Sequence, residues 1–503
     1  MERVQTIAES AGVATLVTIE CHITQGLPNV VIVGFANRAV DEAKERIRAA
    51  FHASKISFPR QRVTVNLAPA DVPKDSSAFD LGIAVAIMHT AHLVSVPASP
   101  ALFIGELGLT GQVRAVRGII GKLMAAKAQG FDTFYVPVDN LAQALLVPHV
   151  TLVPVTSLKQ LYLGLNGFER LTAQLSGEGQ PPSPETLSPE VDFRDISGQV
   201  RAKRIMEIAA AGGHNVLLNG PPGTGKSMLA KALPGILPAM ELHEILEVTH
   251  LHSLASHNFD RIISERPFRA PHHSASQSAI IGGGSQARPG EISLAHRGVL
   301  FLDEFPEYGR PVIEALRQPL EDKIITIARA QHNAQYPADF MLVATSNPCP
   351  CGYYGSHKTC SCQPYQIAHY QRKLSGPIID RMDLYADVEH VEHDTLLHDN
   401  AKAEVSQTIK DRVTGARQCQ ANRCSEPGKT NAQLTNRDIK LHGELSHEAE
   451  ALLNRAAHQL DLSARAYMRT VKVARTIADL ANSRAIGLPH ISEAIQYRRV
   501  TVT

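Results

Sequence analysis

The chain has 503 residues, of which 44% are hydrophobic and 20% are charged, and its formal net charge is +1. At about 150 residues per domain, this length predicts roughly three domains of ordinary globular composition. A net charge so close to zero excludes a uniformly basic protein, so any nucleic-acid surface must be a local patch. No apolar run approaches the roughly 18 residues of a membrane span, and the first residues lack the pattern of a secretory signal. We therefore expect a cytoplasmic protein without membrane partners.

The first region, residues 1–170, alternates strand-like runs with helical patterns. Val30–Val33 and Val63–Leu67 are typical of strands, whereas Ala39–His52 and Leu81–His92 are typical of helices. This mixture predicts an α/β domain.

The composition changes after this region. Residues 171–192 contain Gly, Ser, Pro, Glu and Gln with few apolar residues, which predicts a linker. A second domain is expected over residues 193–390. Residues 391–503 are predominantly helical in pattern, and Ala464–Ser483 spaces its apolar residues so that one helix face packs.

The stretch from Gly220 to Ser227 has the pattern of a phosphate-binding loop. It follows Asn215–Leu218, which is typical of a buried strand, and precedes an expected helix. Its glycines allow backbone N–H groups to surround a polyphosphate, and the helix N-terminus adds partial positive charge. Lys226 is expected to reach the β- and γ-phosphates of ATP, and the Ser227 hydroxyl to bind Mg²⁺. The alternative is a chance turn before a helix. The predicted ATP-binding residues are Gly220, Pro221, Pro222, Gly223, Thr224, Gly225, Lys226 and Ser227.

Two acidic residues follow another apolar run. Val299–Leu302 ends at Asp303 and Glu304, as in a buried parallel strand that delivers carboxylates to the edge where ligands bind. Asp303 is expected to hold Mg²⁺ and Glu304 to polarise the attacking water. The run Phe340–Ser346 ends at Asn347, whose amide could position that water or contact the γ-phosphate. These residues predict an ATP hydrolase; the alternative is a strand that ends in solvated acids.

Four of the seven cysteines are clustered. Cys349 and Cys351 form one close pair, and Cys360 and Cys362 form the second. Such pairs can bind a structural tetrahedral Zn²⁺, and His357 between them could replace one sulfur. The spacing within each pair is tighter than usual, so free thiols or a redox switch remain alternatives. Four cysteine ligands would leave no open position for catalysis.

Three more motifs, with those above, resemble the AAA+ ATPases and more narrowly their magnesium-chelatase-like branch. The motif order over essentially the whole chain resembles the bacterial ComM/YifB family. The resemblance implies a parallel-sheet AAA+ core, an α-helical C-terminal lid over residues 391–503 and a ring, expected to be a hexamer. It further implies an ATP-driven motor on single-stranded or branched DNA, which promotes branch migration in homologous recombination during natural transformation, with recombination proteins as possible partners. The three motifs are Arg269–Ser274 (RAPHHS), Pro289–His296 (PGEISLAH) and Asn347–Gly352 (NPCPCG).

Two arginine roles follow from that resemblance. Gly376–Asp383 looks like the segment that holds the arginine finger, which makes Arg381 the candidate for contacting the neighbouring subunit's nucleotide; a surface ion pair is its alternative. Ser463–Tyr467 looks like the start of the lid helix that carries the second sensor arginine. Arg465 is the expected sensor, with Arg469, one turn later, as its alternative.

The first region resembles the Lon-protease type of domain in a degenerate form. Ala78 occupies the place of the nucleophilic serine, and Ile120 occupies the place of its lysine partner. Neither side chain can supply a nucleophile or its base, so the domain is expected to be structural or to contact proteins. A shifted alignment would instead use Ser76, Ser77 and Lys122.

Two stretches, Arg266–Gly290 and Lys323–Pro337, are candidate DNA contacts. Both lie where AAA+ proteins place pore-facing insertions, and phosphate contacts need only a few mobile cations. The alternative is that they are solvated loops at subunit contacts. The second stretch is expected to form a hairpin. Their polar residues are Arg266, Arg269, His272, His273, Gln277, Arg288 and Arg329–Asn333.

Three other functions compete with the motor. A magnesium-chelatase motor subunit would remodel a metal-inserting partner. An ATP-dependent protease is opposed by Ala78 and Ile120. A protein-binding ATPase scaffold would lack turnover stimulated by polynucleotides.

Overall fold

The computed structural model describes most of the chain in segments. Within these segments, every helix is too short or too polar to cross a lipid bilayer. The described segments are 4–10, 13–33, 39–69, 77–97, 99–177, 191–255, 259–284, 287–328, 333–356, 358–373, 378–391, 404–424, 426 and 428–498.

The first region folds around a mixed eight-stranded sheet with the strand order β10–β9–β8–β5–β1–β2–β4–β3. Its strands alternate in burial: Val63, Val65 and Leu67 face the core while their neighbours are more exposed, which explains why these residues form a strand. The strands, with the small β6–β7 ribbon, are β1 (Val4–Ser10), β2 (Val13–Thr24), β3 (Asn29–Val33), β4 (Arg62–Ala68), β5 (Ala101–Phe103), β6 (Glu106–Leu107), β7 (Val113–Arg114), β8 (Thr133–Pro137), β9 (Thr151–Val155) and β10 (Gln174–Leu175).

In the described part of the first region, five α-helices accompany this sheet. The second is apolar on all sides and buried along most of its length, as expected of a helix inside a core. Its one acid, Asp80, forms a bidentate ion pair with Arg46 at 2.8 and 3.2 Å. Burial raises the pKa of Asp80 to about 6, and Arg46 offsets only part of that effect. The helices are α1 (Ala39–Ala53), α2 (Asp80–Thr90), α3 (Ile119–Ala128), α4 (Leu141–Ala144) and α5 (Leu158–Leu165).

The linker prediction needs a correction at its N-terminal end. Gln174 and Leu175 form the edge strand β10, which pairs antiparallel with β9. Ser176 is buried, and its hydroxyl donates to the Val150 carbonyl oxygen. Residues 171–177 therefore belong to the first domain, while the predicted linker residues 178–190 lie outside the described segments.

The second region contains a five-stranded parallel sheet in the order β12–β15–β18–β11–β19. β15 and β18 are buried along their whole length, as apolar strands covered on both faces must be. The expected hairpin is confirmed by the antiparallel pairing of β16 with β17. The strands are β11 (Val216–Asn219), β12 (Phe268–Arg269), β13 (Gly282–Gly283), β14 (Arg288–Pro289), β15 (Val299–Leu302), β16 (Ile324–Ala328), β17 (Asn333–Pro337), β18 (Met341–Ser346) and β19 (Leu384–Asp387).

Helices surround this sheet and continue into the C-terminal region. The C-terminal helices share one apolar cluster with the first helix of the core and with strands of the five-stranded sheet, so the helical region packs directly on that sheet. The helices are α6 (Val200–Gly212), α7 (Lys226–Ala232), α8 (Leu242–Ala255), α9 (Gln277–Ile281), α10 (Glu291–Leu294), α11 (Arg310–Ala315), α12 (Arg317–Asp322), α13 (Pro364–Lys373), α14 (Ser406–Cys424), α15 (Asn436–His442), α16 (His447–Gln459), α17 (Ala464–Leu480) and α18 (Leu488–Gln496).

Helix α8 of the core packs against α3 of the first domain. Buried Glu9 accepts from Lys122 Nζ at 2.9 Å, and its other oxygen lies 3.1 Å from His250 Nε2 of α8. Burial raises the pKa of Glu9, but Lys122 and His250 outweigh it and lower that pKa to about 2. Gly121 leaves room for the His250 ring, which a Cβ would approach to 2.3 Å. The two domains therefore share a buried α3–α8 interface.

Candidate nucleotide site

The phosphate-binding loop follows β11, which lies between β18 and β19 in the sheet. Ligands of open α/β sheets bind at such a switch point, beyond the carboxyl ends of the strands. Gly220 permits a close approach, since a Cβ there would lie 2.2 Å from the Val388 carbonyl oxygen. Gly225 has φ +89°, which glycine adopts without strain, and α7 begins at the next residue. The predicted strand, loop and helix are thus all present.

Lys226 lies folded over this loop. Its Nζ donates to the carbonyl oxygens of Gly220 at 2.5 Å and Pro221 at 2.8 Å, and to Asn347 Oδ1 at 3.2 Å. Burial lowers the pKa of Lys226 to about 8, although Asp303 raises it. The structure therefore brings the predicted lysine and the predicted amide together at the loop.

The two acids lie beside the loop in a hydrogen-bonded network. Ser227 Oγ donates to Asp303 Oδ2 at 3.2 Å. The Thr345 hydroxyl donates to Asp303 Oδ1 at 2.5 Å and accepts from the Glu304 N–H at 2.9 Å. Glu304 has φ +51°, a strained conformation for a residue with a side chain and one that is concentrated at functional sites. The network brings a hydroxyl and a carboxylate together beside the loop, which are oxygen ligands of the kind that Mg²⁺ prefers, and it holds the backbone of Glu304.

Sequence reasoning missed Thr345. It lies on the buried strand β18, and Asn347 follows it by two residues, directly after the strand ends; the alternation of side chains along a strand directs residues two apart to the same face. The alternation of side chains along the strand was the signal in the sequence, because it places the Thr345 hydroxyl on the side that faces the phosphate-binding loop.

The RAPHHS motif also lies at this site. His273 Nδ1 is 4.0 Å from Glu304 Oε2, and its ring stacks near that of His272 with centroids 4.1 Å apart. Tyr308 donates from its hydroxyl to the Pro271 carbonyl oxygen at 2.5 Å, which fixes the motif's backbone. His273, predicted as a DNA contact, is thus positioned beside the residue expected to polarise water.

Two arginines of the first candidate DNA stretch are engaged within the chain. Arg266 pairs with Glu244 at 2.8 Å, and Arg269 pairs with Glu291 at 2.5 Å. These ion pairs restrict both arginine side chains within the chain, and their contact with DNA stays a prediction. Residues Arg329 to His332 of the second stretch lie outside the described segments.

The arginine candidates differ in exposure. The Arg381 side chain is only 8% exposed and forms an ion pair with Glu321. An arginine finger must be displayed to a neighbouring subunit, so this intrachain pairing counts against Arg381 in the chain as it stands. Arg465 is exposed at the start of α17, whereas Arg469 pairs with buried Asp383 at 2.5 Å. Asp383 keeps a pKa below its usual range because Arg469 and His214 outweigh the effect of burial.

A cavity of about 320 Å³ adjoins the loop and was not predicted from the sequence. Gln199, one of its lining residues, donates from Nε2 to the Thr224 carbonyl oxygen at 3.3 Å and to the Glu389 carbonyl oxygen at 2.6 Å. One lining residue of the cavity thus contacts the phosphate-binding loop. The residues that line it are 198–201, Asp387 and 389–391.

The four clustered cysteines converge. Their sulfur atoms all lie within 4.8 Å of one another. Cys349 Sγ lies 3.4 Å from Cys351 Sγ and 3.7 Å from Cys360 Sγ. His357, the possible substitute ligand, lies outside the described segments.

The Lon-type positions are buried. Ala78 and Ile120 lie in an apolar cluster with residues of α8. Ser77 Oγ donates to Glu106, while Lys122 Nζ donates to Glu9, so the described part of the shifted dyad is not assembled. Ser76 lies outside the described segments.

Comparisons with known proteins agree with this geometry. The family described as magnesium chelatase, subunit ChlI matches residues 192–396; related families match residues 19–140 and, for the ChlI C-terminal region, 403–498. Competence protein ComM of Haemophilus influenzae is 43% identical, with 96% of this chain and 95% of that protein covered. YifB of Salmonella typhimurium is 41% identical, with 96% and 94% covered. The chain, with its parallel-sheet core and helical C-terminal region, therefore belongs to the ComM/YifB family of magnesium-chelatase-like AAA+ proteins.

Proposed function

We propose that this protein hydrolyses ATP with Mg²⁺ and uses the energy to move along DNA. The observation that carries the hydrolase proposal is that Lys226, Ser227, Asp303, Glu304 and Asn347 meet at the phosphate-binding loop. Lys226 donates to Asn347, while Ser227 and Thr345 donate to Asp303 and Thr345 accepts from the Glu304 N–H. Those side chains supply a cation, a hydroxyl, two carboxylates and an amide, which are the groups that phosphoryl transfer to water requires.

Each residue has a distinct task in this proposal. Lys226 exchanges its loop carbonyl oxygens for the β- and γ-phosphates, and Ser227 and Asp303 hold the magnesium ion. When bound, that ion would neutralise the negative charge that develops on the phosphate oxygens. Glu304, fixed through its N–H to Thr345, accepts the proton of the attacking water, and Asn347 orients the γ-phosphate. The cavity lined by Gln199 and its neighbours receives the adenine.

The DNA motor is supported by relatives rather than by a basic surface. The Haemophilus influenzae relative is named a competence protein, and a DNA repair protein RadA of Streptococcus pneumoniae is 35% identical over 91 residues. We propose a hexameric ring that promotes branch migration of recombination intermediates during natural transformation. In that ring, Arg381 leaves Glu321 to contact the neighbouring subunit's nucleotide, and Arg465 senses ATP from the lid.

The first domain is proposed to be a degenerate Lon-type domain without peptidase activity. Ala78 and Ile120 replace the dyad, and the nearby Ser77 and Lys122 are bonded to different carboxylates. A domain of this kind contributes packing and protein contacts and no covalent chemistry.

The test compares ATP turnover with and without single-stranded and forked DNA, alongside displacement of a labelled strand. Lys226→Ala is expected to abolish turnover. Lys231→Ala is the matched control, because Lys231 lies on the same helix but is exposed. DNA-stimulated turnover with ATP-dependent displacement supports the motor.

Other outcomes decide between the competing functions. Turnover that is indifferent to DNA favours a magnesium-chelatase-like remodelling role. Absence of turnover in assembled rings overturns the motor. For Arg381, a loss of about 10³-fold in turnover of assembled Arg381→Ala rings supports the finger, whereas lower thermal stability with unchanged turnover assigns it a structural role.

A further inference from the structure

We propose that Cys349, Cys351, Cys360 and Cys362 bind one Zn²⁺ and that this metal holds the nucleotide site together. The segment concerned, residues 348–363, is called the cysteine loop below. Zinc binding stands on the sulfur geometry alone, whereas the coupling to the nucleotide site rests on the proposed ATPase function.

The sulfur positions match a tetrahedral thiolate site. With Zn–S bonds of about 2.3 Å, the sulfurs of a tetrahedron lie about 3.8 Å apart. The Sγ–Sγ distances are 3.4 Å for Cys349–Cys351, 3.7 Å for Cys349–Cys360 and 3.5 Å for Cys351–Cys360. A disulfide would need about 2.05 Å, and all four cysteines are free. The cluster is therefore arranged around a common centre and not in oxidised pairs.

Backbone groups complete the surroundings of these sulfurs. The Tyr354 N–H donates to Cys349 Sγ at 3.3 Å, and the Cys351 N–H donates to Cys362 Sγ at 3.4 Å. Hydrogen bonds of this kind orient metal ligands and stabilise thiolates. Four thiolates this close together repel one another unless a cation lies between them, and a site with four sulfurs leaves no open position for catalysis.

The cysteine loop has little apolar packing of its own. Its described residues are mostly exposed or half-buried, with Cys349 and Gly352 buried. Tyr354 is 51% exposed. A metal can order such a segment by itself, because the free energy of structural zinc binding is of the order of 10 kcal/mol.

The same loop touches the phosphate-binding loop. Gly352 packs so closely on Pro222 that a Cβ would lie 2.6 Å from its Cδ atom. The cysteine loop starts directly after Asn347, whose Oδ1 accepts from Lys226. Movement of the cysteine loop would therefore displace two parts of the nucleotide site, Pro222 of the phosphate-binding loop and Asn347.

Helix α13, which follows the cysteine loop, also contacts the residues that follow the C-terminal end of β18. Burial raises the pKa of Tyr370 to about 12, and the nearby Asn347 backbone lowers it in part. Gln371 Nε2 donates to the Pro348 carbonyl oxygen at 3.2 Å. The metal thus closes a loop that begins directly after Asn347 and leads into a helix that contacts the same region through Gln371.

The first test is the zinc content of the full-length protein by elemental analysis. We expect one zinc per chain in the wild type and in the control Cys419→Ser, and less than a tenth of that in the double variant Cys360→Ser, Cys362→Ser. Cobalt in place of zinc should give the absorption bands of a tetrahedral thiolate site. Zinc well below one per chain in freshly purified, reduced wild type, or unchanged in the double variant, would overturn the site.

The second test separates coupling from metal binding. Gly352→Ala keeps all four cysteines and should keep its zinc, but the added Cβ displaces Pro222 of the phosphate-binding loop. We expect ATP turnover to fall about 10- to 100-fold, as for a displacement near 1 Å in an active site. Gly355→Ala is the matched control, because φ is +73° there against +85° at Gly352 but nothing lies within 4 Å of its Cβ. Equal turnover in the two variants, with zinc bound in both, would overturn the coupling while leaving ATP hydrolysis intact.

Discussion

Thr345 offers a sharp test of the nucleotide site, because one hydroxyl joins both acids. Thr345→Val preserves the shape of the side chain but removes the donor to Asp303 Oδ1 and the acceptor for the Glu304 N–H. A hydrogen bond to a charged group contributes about 1.5–3 kcal/mol. The Thr345 side chain is buried, so water cannot replace the hydroxyl at its own position.

The loss is expected in the chemical step. Glu304 would lose the contact that holds its strained backbone, while the phosphate contacts of the loop would remain. A loss of about 2 kcal/mol in the transition state lowers kcat about 30-fold with little change in ATP affinity. Steady-state turnover and binding of a fluorescent ATP analogue measure the two quantities separately.

Two controls frame this result. Thr345→Ser keeps the hydroxyl and should retain most of the turnover. Ser346→Ala alters the next residue on the strand, whose hydroxyl donates to Asn219 and not to the acids. Wild-type turnover in Thr345→Val, or a defect confined to ATP binding, would refute the reasoning.

Three further predictions concern stability and the lid. Arg469→Ala removes one of the two charged partners of buried Asp383 and should destabilise the protein by about 1.5–3 kcal/mol, as measured by thermal unfolding. Arg465→Ala should change stability by less than about 0.5 kcal/mol, and it should lower turnover if Arg465 is the sensor. Gly121→Ala should destabilise the α3–α8 interface by about 1–3 kcal/mol, whereas Gly415→Ala, in an open helical position, should raise stability by up to about 1 kcal/mol. The pKa of Glu9 is lowered to about 2 from 4.5, so ionised Glu9 stabilises the folded protein fully above pH 4.5, and this stabilisation is lost as the pH falls towards 2. The difference in melting temperature between the wild type and Glu9→Gln should therefore shrink between these pH values, and a constant difference would contradict the prediction.

The sequence predicted best what is local in the chain. The phosphate-binding loop, Asp303 with Glu304, and Asn347 each follow directly from a strand end, and a parallel sheet brings strand ends to one edge. Helix α17 begins at Ala464, as its apolar spacing indicates, because one face meets the core.

Features that depend on long-range packing could not be predicted in this way. The pairing of Arg381 with Glu321 joins residues 60 positions apart, and nothing in either local pattern indicates it. Helix α14 continues to Cys424 through a polar stretch, because its buried Gln420 donates to the Ala211 carbonyl oxygen of α6. Polar composition indicates exposure only when no distant backbone group needs a partner.

The α3–α8 interface limits how the protein can be truncated. Met240, Ile245, Leu246 and Val248 lie in one apolar cluster with residues of the first domain. An ATPase core produced without residues 4–177 would present that cluster to water, and exposed apolar patches of this kind cause aggregation. Loss of activity on deleting the first domain would therefore report on solubility before it reported on any separate task of that domain. Point substitutions on its outer surface are the cleaner way to ask what it binds.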